Sequence, residues 1–244
     1  MTKKYAGRPL ARQGARTFIP PATSRRLMPP RLHGHGRFRR WLGRELGGDE
    51  ELGDRVWRRL MHGLGATVLV YYVIPTDFFV VAPKADILLT LLAIVFVLEA
   101  LRHTVGLELP TVRPYEAHRI GSYVFYSLAL VIAVLVFPEP IGAAVALGTA
   151  IVDPVVGELR LRHQRGAITV GVPLAVYWIL AVTGLVGVGH WPLVPSLGLA
   201  AVAAPIGVAA ERPKWSWLDD DLVMTVVPAL FLYLAGVLVL GLPG

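Results

Sequence analysis

Past residue 60 the chain runs as long apolar stretches separated by short polar breaks. Seven stretches stand out, roughly 63–83, 87–102, 120–138, 140–157, 167–188, 192–210 and 221–242. Each lies near the ~20 apolar residues that a helix needs to cross the hydrocarbon of a bilayer, the second and fourth being the shortest. Pro75, Pro140, Pro154, Pro173, Pro205 and Pro228 fall in or beside these stretches. A helix packed among others tolerates such residues because its neighbours satisfy the freed carbonyls. The pattern predicts an all-α fold, a polytopic membrane helix bundle of about seven transmembrane helices.

Composition strengthens that expectation. Hydrophobic residues make up 55% of the 244 residues and charged residues 17%, against about 25% charge in an ordinary soluble domain. The apolar content excludes a disordered chain. With no Cys, disulfide scaffolds and thiolate chemistry are excluded.

Charge divides the chain in two. Residues 1–60 hold 15 Lys or Arg and 5 Asp or Glu, whereas residues 61–244 hold 9 and 12. The boundaries that follow are a basic, largely disordered cytoplasmic arm over 1–57 and a transmembrane domain over 58–244. The arm is rich in Pro, Gly and Arg without an apolar period. Its Arg37–Leu42 stretch could lie on an anionic membrane surface, or the arm could act only as a topology signal. Ser24-Arg25-Arg26 resembles a twin-Arg signal without the apolar stretch that should follow, and the Arg-rich composition also suits a transit peptide. No nucleic-acid partner is expected, because no binding fold accompanies the charge. With the N-terminus in the cytoplasm, the inner loops carry eight Lys or Arg, from Arg102 to Lys214, and the outer loops carry Lys84 alone. Positive charge favours the inner side, so the predicted topology is N-terminus inside and C-terminus outside.

On this topology most chemically capable side chains gather at the cytoplasmic face. They are Arg58, Arg59 and His62, then Glu99 and Arg102, then Arg113, Glu116, His118 and Arg119, then Asp153 and Glu158, then Glu211 with Asp219, Asp220 and Asp221. A carboxylate within the hydrocarbon costs about 2.5–3.5 kcal/mol on insertion scales. Asp153, some five residues inside its span, therefore needs a partner or a cation. Hard oxygen ligands beside guanidinium groups suit Mg²⁺ with a polyphosphate. Phosphoryl or nucleotidyl transfer to a membrane lipid is the chemistry such a set allows. Plainer roles stand beside these. His62 could simply line a helix end, Glu99 and Arg102 could form a local i,i+3 ion pair, and Asp219–Asp221 could cap a helix N-terminus. Asp77, at the outer end of the first span, has no assignment. Walker-type, protein-kinase, zinc-ligand, HExxH and GxSxG motifs are all absent.

Four segments, in order, resemble the family of dolichol kinases, phytol kinases and CTP-dependent diacylglycerol kinases. Arg58-Arg59-Leu60-Met61-His62, followed by Gly65, is similar to the family's R-[KR]-x-x-H opening. Arg113-Pro114-Tyr115-Glu116, leading to Arg119-Ile120-Gly121-Ser122-Tyr123, is similar to its R-x-x-E segment. Asp153-Pro154 resembles its G-D-P-x-A element. Glu211 followed by Leu218-Asp219-Asp220-Asp221-Leu222 resembles a Glu followed by D-D-N-L. The segments cover roughly 58–228. The chain departs from the pattern at Val152 and Arg160, where the family has Gly, at Val156, where it has Ala, and at Asp221, where it has Asn. The family's K-S-x-E-G element has only a loose counterpart in Gln164-Arg165-Gly166.

The resemblance implies a lipid-alcohol kinase with CTP as donor and an isoprenoid alcohol (dolichol, polyprenol or phytol) as acceptor at the cytoplasmic surface. Asp153, Glu211, Asp219 and Asp220, or another of the Asp run, would hold Mg²⁺. Arg59, Arg113 and Arg119 would bind phosphate, and Glu116 or His62 would accept the hydroxyl proton. A diacylglycerol kinase or a lipid cytidylyltransferase is the neighbouring alternative. The signature of the cytidylyltransferase near its C-terminus is missing here. A transporter or non-catalytic lipid-binding protein is the alternative of another class, and it would place ionisable groups near mid-membrane.

Overall fold

A computed structural model describes residues 41, 44–45, 47, 50–75, 83–107, 109, 112, 116, 119–161, 166–210 and 219–244. Among the described residues the chain is all-helical, with no strand. Seven helices order it: α1 Glu50–Gly65, α2 Lys84–Val105, α3 Ser122–Val136, α4 Glu139–Leu161, α5 Ala167–Val182, α6 Leu193–Ala210 and α7 Asp220–Leu232. The helices α5 and α7 continue as wider π turns, Thr183–Val188 and Tyr233–Val239.

Four of these helical runs are long and apolar enough to cross a membrane: Glu139–Leu159, Ala167–Val188, Leu193–Ala210 and Asp220–Val239. They match the last four apolar stretches closely. The third stretch became α3, a shorter apolar helix, and the second became α2. The first differs most. Helix α1 begins at Glu50, inside the segment assigned to the arm, and runs on through a 3₁₀ turn, Ala66–Leu69, to Val73. There it stops, with Ile74 extended at φ −71° and ψ 124°. Ile74 precedes Pro75, whose ring clashes with a helical conformation at the preceding residue. The expected span over 63–83 is therefore not one continuous helix within the described residues. Asp77 lies outside those residues, as does the arm over 1–40.

Helix α4 is the axis of the bundle. It packs against α1, α3, α5 and α7, and Ile141, Ala143, Ala144, Val145, Ala146, Ala150 and Val152 are fully buried along it. Its small residues let neighbouring backbones come close, which is how helices associate where lipid tails remove the hydrophobic drive between them. Gly184 shows the limit of this packing: a Cβ there would lie 2.4 Å from the Ala144 nitrogen. Helix α2 sits at the margin with α3 as its main neighbour, and Leu91, Ile94 and Val97 on it are exposed. It ends at Gly106, whose φ of 70° is the left-handed cap that glycine adopts without strain. At one end of the bundle, Trp191 donates to the Pro243 carbonyl at 2.9 Å and pins the C-terminal segment.

Gly184→Val should destabilise the protein by about 1–3 kcal/mol, the usual cost of overpacking against backbone. Gly198→Ala should be nearly silent, because nothing lies within 4 Å of its Cβ position. Thermal unfolding in detergent, followed by Trp fluorescence, reads both; equal melting temperatures for the two variants would contradict the α4–α5 contact.

Candidate functional site

Three helix segments converge at the other end of the bundle. Helix α1 supplies His62 from its last turn, α4 supplies Asp153, and α7 supplies Asp221 from its first turn. His62 Nε2 lies 3.3 Å from Asp221 Oδ2 and 3.5 Å from Asp153 Oδ2. One ligand atom from each residue fits within 4.8 Å of the others. Asp221 is buried, and His62 and Asp153 are partly so.

Local structure accounts for the convergence. The Nδ1 side of the His62 ring faces the Arg58 carbonyl one turn back, at 3.3 Å. Tyr126 on α3 stacks on the ring at 4.5 Å between centroids and donates its hydroxyl hydrogen to the His62 carbonyl at 2.6 Å. Gly65 makes that approach possible, since a Cβ there would lie 1.9 Å from the Tyr126 hydroxyl oxygen. One turn beneath the carboxylates, Thr149 and Thr225 share a buried hydrogen bond of 2.8 Å between α4 and α7. Thr225 also donates to the Asp221 carbonyl at 2.8 Å. Thr149 is four residues before Asp153 and Thr225 four after Asp221, so each pair shares a helix face. The bond thus fixes the spacing of the two helices one turn from the two acids.

Burial of the His62 ring opposes its charge. The hydrogen bond with Asp221 and the negative charges of Asp221 and Asp153 outweigh that, and they push its pKa from 6.5 up to about 9. Asp219 is the N-cap of α7, and its carboxylate accepts from the Asp221 amide at 3.2 Å. Burial, followed by the charges of Asp221 and Asp220, pushes its pKa up to about 7.

A second polar network lies beside the first. Arg102 donates to both Glu99 oxygens, at 2.6 and 2.7 Å, from buried positions on α2. Glu99 also accepts from the Gly121 amide at 2.8 Å and from the Tyr123 hydroxyl at 2.6 Å, so it caps the start of α3. Arg102 further donates to the Glu116 carbonyl at 3.2 Å and the Arg119 carbonyl at 2.6 Å. The i,i+3 pair read from the sequence is present. Its larger role is to tie α2 to the entry of α3.

The structure brings His62 and Asp153 together, and Asp221 is the member of the Asp run whose carboxylate reaches them. Asp219 is engaged as a cap, and Asp220 occupies the first turn of α7. Arg59 forms an ion pair with Glu158 on α4. Glu116 is fully buried, and its carbonyl is held by Arg102. Arg119 is fixed through its backbone by the same guanidinium. Arg113, His118 and Glu211 lie outside the described residues. Tyr126, Thr149 and Thr225 were missed in the sequence. The four-residue spacing from each acid was a signal for the two threonines, and nothing local marks Tyr126.

The donor set fits a divalent cation. It offers two carboxylates and one imidazole nitrogen, with the other ring nitrogen already turned to a carbonyl. Among the described residues, the fold and the site together define an all-helical arrangement with four helices long and apolar enough to cross a membrane and a three-residue polar cluster where α1, α4 and α7 meet. No protein-family model, curated protein or solved structure matches the chain.

In metal-free protein the His62 imidazole should titrate near 9, measured by NMR of histidine ring nitrogens, and Asp221→Asn should bring it down. Because the folded pKa is the higher one, the ring's contribution to stability is complete below about 6.5 and is lost as pH rises through 9. A His62 midpoint unchanged by Asp221→Asn would contradict the contact.

Proposed function

We propose that the chain is a CTP-dependent lipid-alcohol kinase that phosphorylates an isoprenoid alcohol such as dolichol, polyprenol or phytol. The observation that carries this reading is the meeting of His62, Asp153 and Asp221. They come from three of the four segments that resemble the lipid-alcohol kinase family, and they are separated by up to 159 positions in sequence. Seven spans with the N-terminus in the cytoplasm belong to the same proposal, supported by the bias of Lys and Arg among the loops. The cluster then faces the cytoplasm, where a nucleotide is available.

In the reaction the lipid hydroxyl oxygen attacks the γ-phosphorus of CTP. The new O–P bond forms as the bond from that phosphorus to the β,γ-bridging oxygen breaks, and CDP leaves with the electron pair. Mg²⁺ held by Asp153 and Asp221, with Glu211, Asp219 and Asp220 as the further carboxylates of this face, would supply neutralising charge to the phosphate oxygens. Arg59, Arg113 and Arg119 bind the triphosphate oxygens and oppose the charge that builds on the leaving diphosphate. Arg59 reaches this role by exchanging Glu158 for phosphate. The hydroxyl proton passes to Glu116, or to His62 when the ring is neutral and not bound to the metal. The acceptor chain lies among the exposed apolar helix faces, which continue into lipid.

Purified protein given labelled CTP or ATP, Mg²⁺ and a panel of polyprenol, phytol and diacylglycerol should yield chloroform-soluble label with CTP and an isoprenoid alcohol. Label on diacylglycerol instead would reassign the acceptor. No label from any pair, in folded protein, would favour a transporter or lipid-binding protein. Asp153→Asn should lower transfer by on the order of 100-fold or more while leaving expression intact; near-normal turnover would remove Asp153 from the site.

A further inference from the structure

We infer that His62, Asp153 and Asp221 form a one-nitrogen, two-carboxylate centre selective for a divalent first-row transition ion over Mg²⁺. The inference rests on reading this cluster as the metal-holding part of the proposed site. It also takes His62 out of the role of proton acceptor.

Geometry is the first argument. His62 Nε2 lies 3.3 and 3.5 Å from the nearest oxygens of Asp221 and Asp153. Ligands that share one metal at bonds of ~2.0–2.2 Å stand roughly 3 Å apart when adjacent. A small closure of the set would bring all three donors onto one ion.

The second argument is the orientation of the ring. A metal-bound histidine donates its other N–H to a carbonyl or carboxylate, which sets the tautomer and aims the free lone pair. The Arg58 carbonyl is in place to receive Nδ1–H at 3.3 Å. Tyr126 holds the ring plane by stacking, with an interplanar angle of 22°. Nε2 is then the atom left to face the two acids. A ring placed only to line a helix end needs neither constraint.

The third argument is ligand chemistry. Mg²⁺ takes oxygen ligands, keeps much of its water and uses one or two carboxylates plus phosphate. Imidazole suits first-row transition ions, whose affinity rises from Mn²⁺ along the series. Mn²⁺ also accepts carboxylate, phosphate and water, so three protein donors leave positions for a nucleotide. A partly buried imidazole between two acids favours an ion that takes nitrogen as well as oxygen over one that binds oxygen alone.

The test uses full-length protein in detergent with Mn²⁺ as the probe. Titration followed by electron paramagnetic resonance should show one tight site, and pulsed spectra should carry modulation from a directly bound nitrogen. Mg²⁺ should displace the Mn²⁺ only at an excess of ~10-fold or more. His62→Gln should abolish the nitrogen modulation and weaken Mn²⁺ binding by ~10–100-fold. Spectra of the unsubstituted protein carry the nitrogen readout by themselves, so a variant that fails to fold does not remove the test. Bound Mn²⁺ without nitrogen modulation, equal displacement by Mg²⁺, or no tight site would each overturn the inference. Nitrogen-bound Mn²⁺ in a protein that labels no lipid would leave the centre standing and the kinase reading fallen. Lipid labelling with oxygen-only Mn²⁺ would do the reverse.

Discussion

Two carboxylates held close together in an apolar bundle need positive charge between them. That requirement organises one end of this protein. Asp153 and Asp221 converge from α4 and α7, and the His62 imidazole stands between them. In surroundings of low dielectric, like charges repel strongly and an unmatched one is costly to desolvate. A protonated ring or a bound cation answers both demands at the same position. The same electrostatic logic underlies the structure of the site and any chemistry it performs.

Precision comes from the shell around the three residues. The Thr149–Thr225 bond locks the two carboxylate-bearing helices one turn below the acids. Tyr126 fixes the ring from α3 and is admitted by the missing side chain at Gly65. Glu99 and Arg102 carry the order outward. Their paired charges are buried, which is unfavourable unless every donor and acceptor is engaged. Here Glu99 takes hydrogen bonds from Arg102, Tyr123 and Gly121, while Arg102 also donates to the Glu116 and Arg119 carbonyls. Glu116, Arg119 and the start of α3 are thereby anchored by side chains from α2.

The division of labour within the acidic run shows how structure refines composition. Asp219, Asp220 and Asp221 are adjacent and chemically alike. Helix geometry separates them, because α7 starts immediately after Asp219. The cap residue turns its carboxylate back to the Asp221 amide, which leaves the Asp221 side chain directed at His62. Asp221 is thus the member of the run that enters the cluster. A charged oxygen at that position raises the negative charge of the site and is matched by the nearby imidazole.

Much of the secondary structure was legible in the sequence. Long apolar runs dictate helices, since helices satisfy their own backbone hydrogen bonds where water is absent. The last four stretches therefore emerged with nearly the expected ends. Asp153 was legible as an acid placed where it needs a partner. The early stop of the first span at Ile74 was written in Pro75, although the apolar run carried the expectation past it. Other features could not be read from one dimension. Nothing near His62 announces Tyr126, sixty-four positions away, and no local rule chooses Asp221 over its neighbours. Sequence by itself determined which segments are helical and which side chains are able to carry charge, because hydropathy and backbone propensity act over a turn or two. Only the tertiary structure decided which of those charges meet, because the angles and spacing of packed helices set distances between residues far apart in the chain.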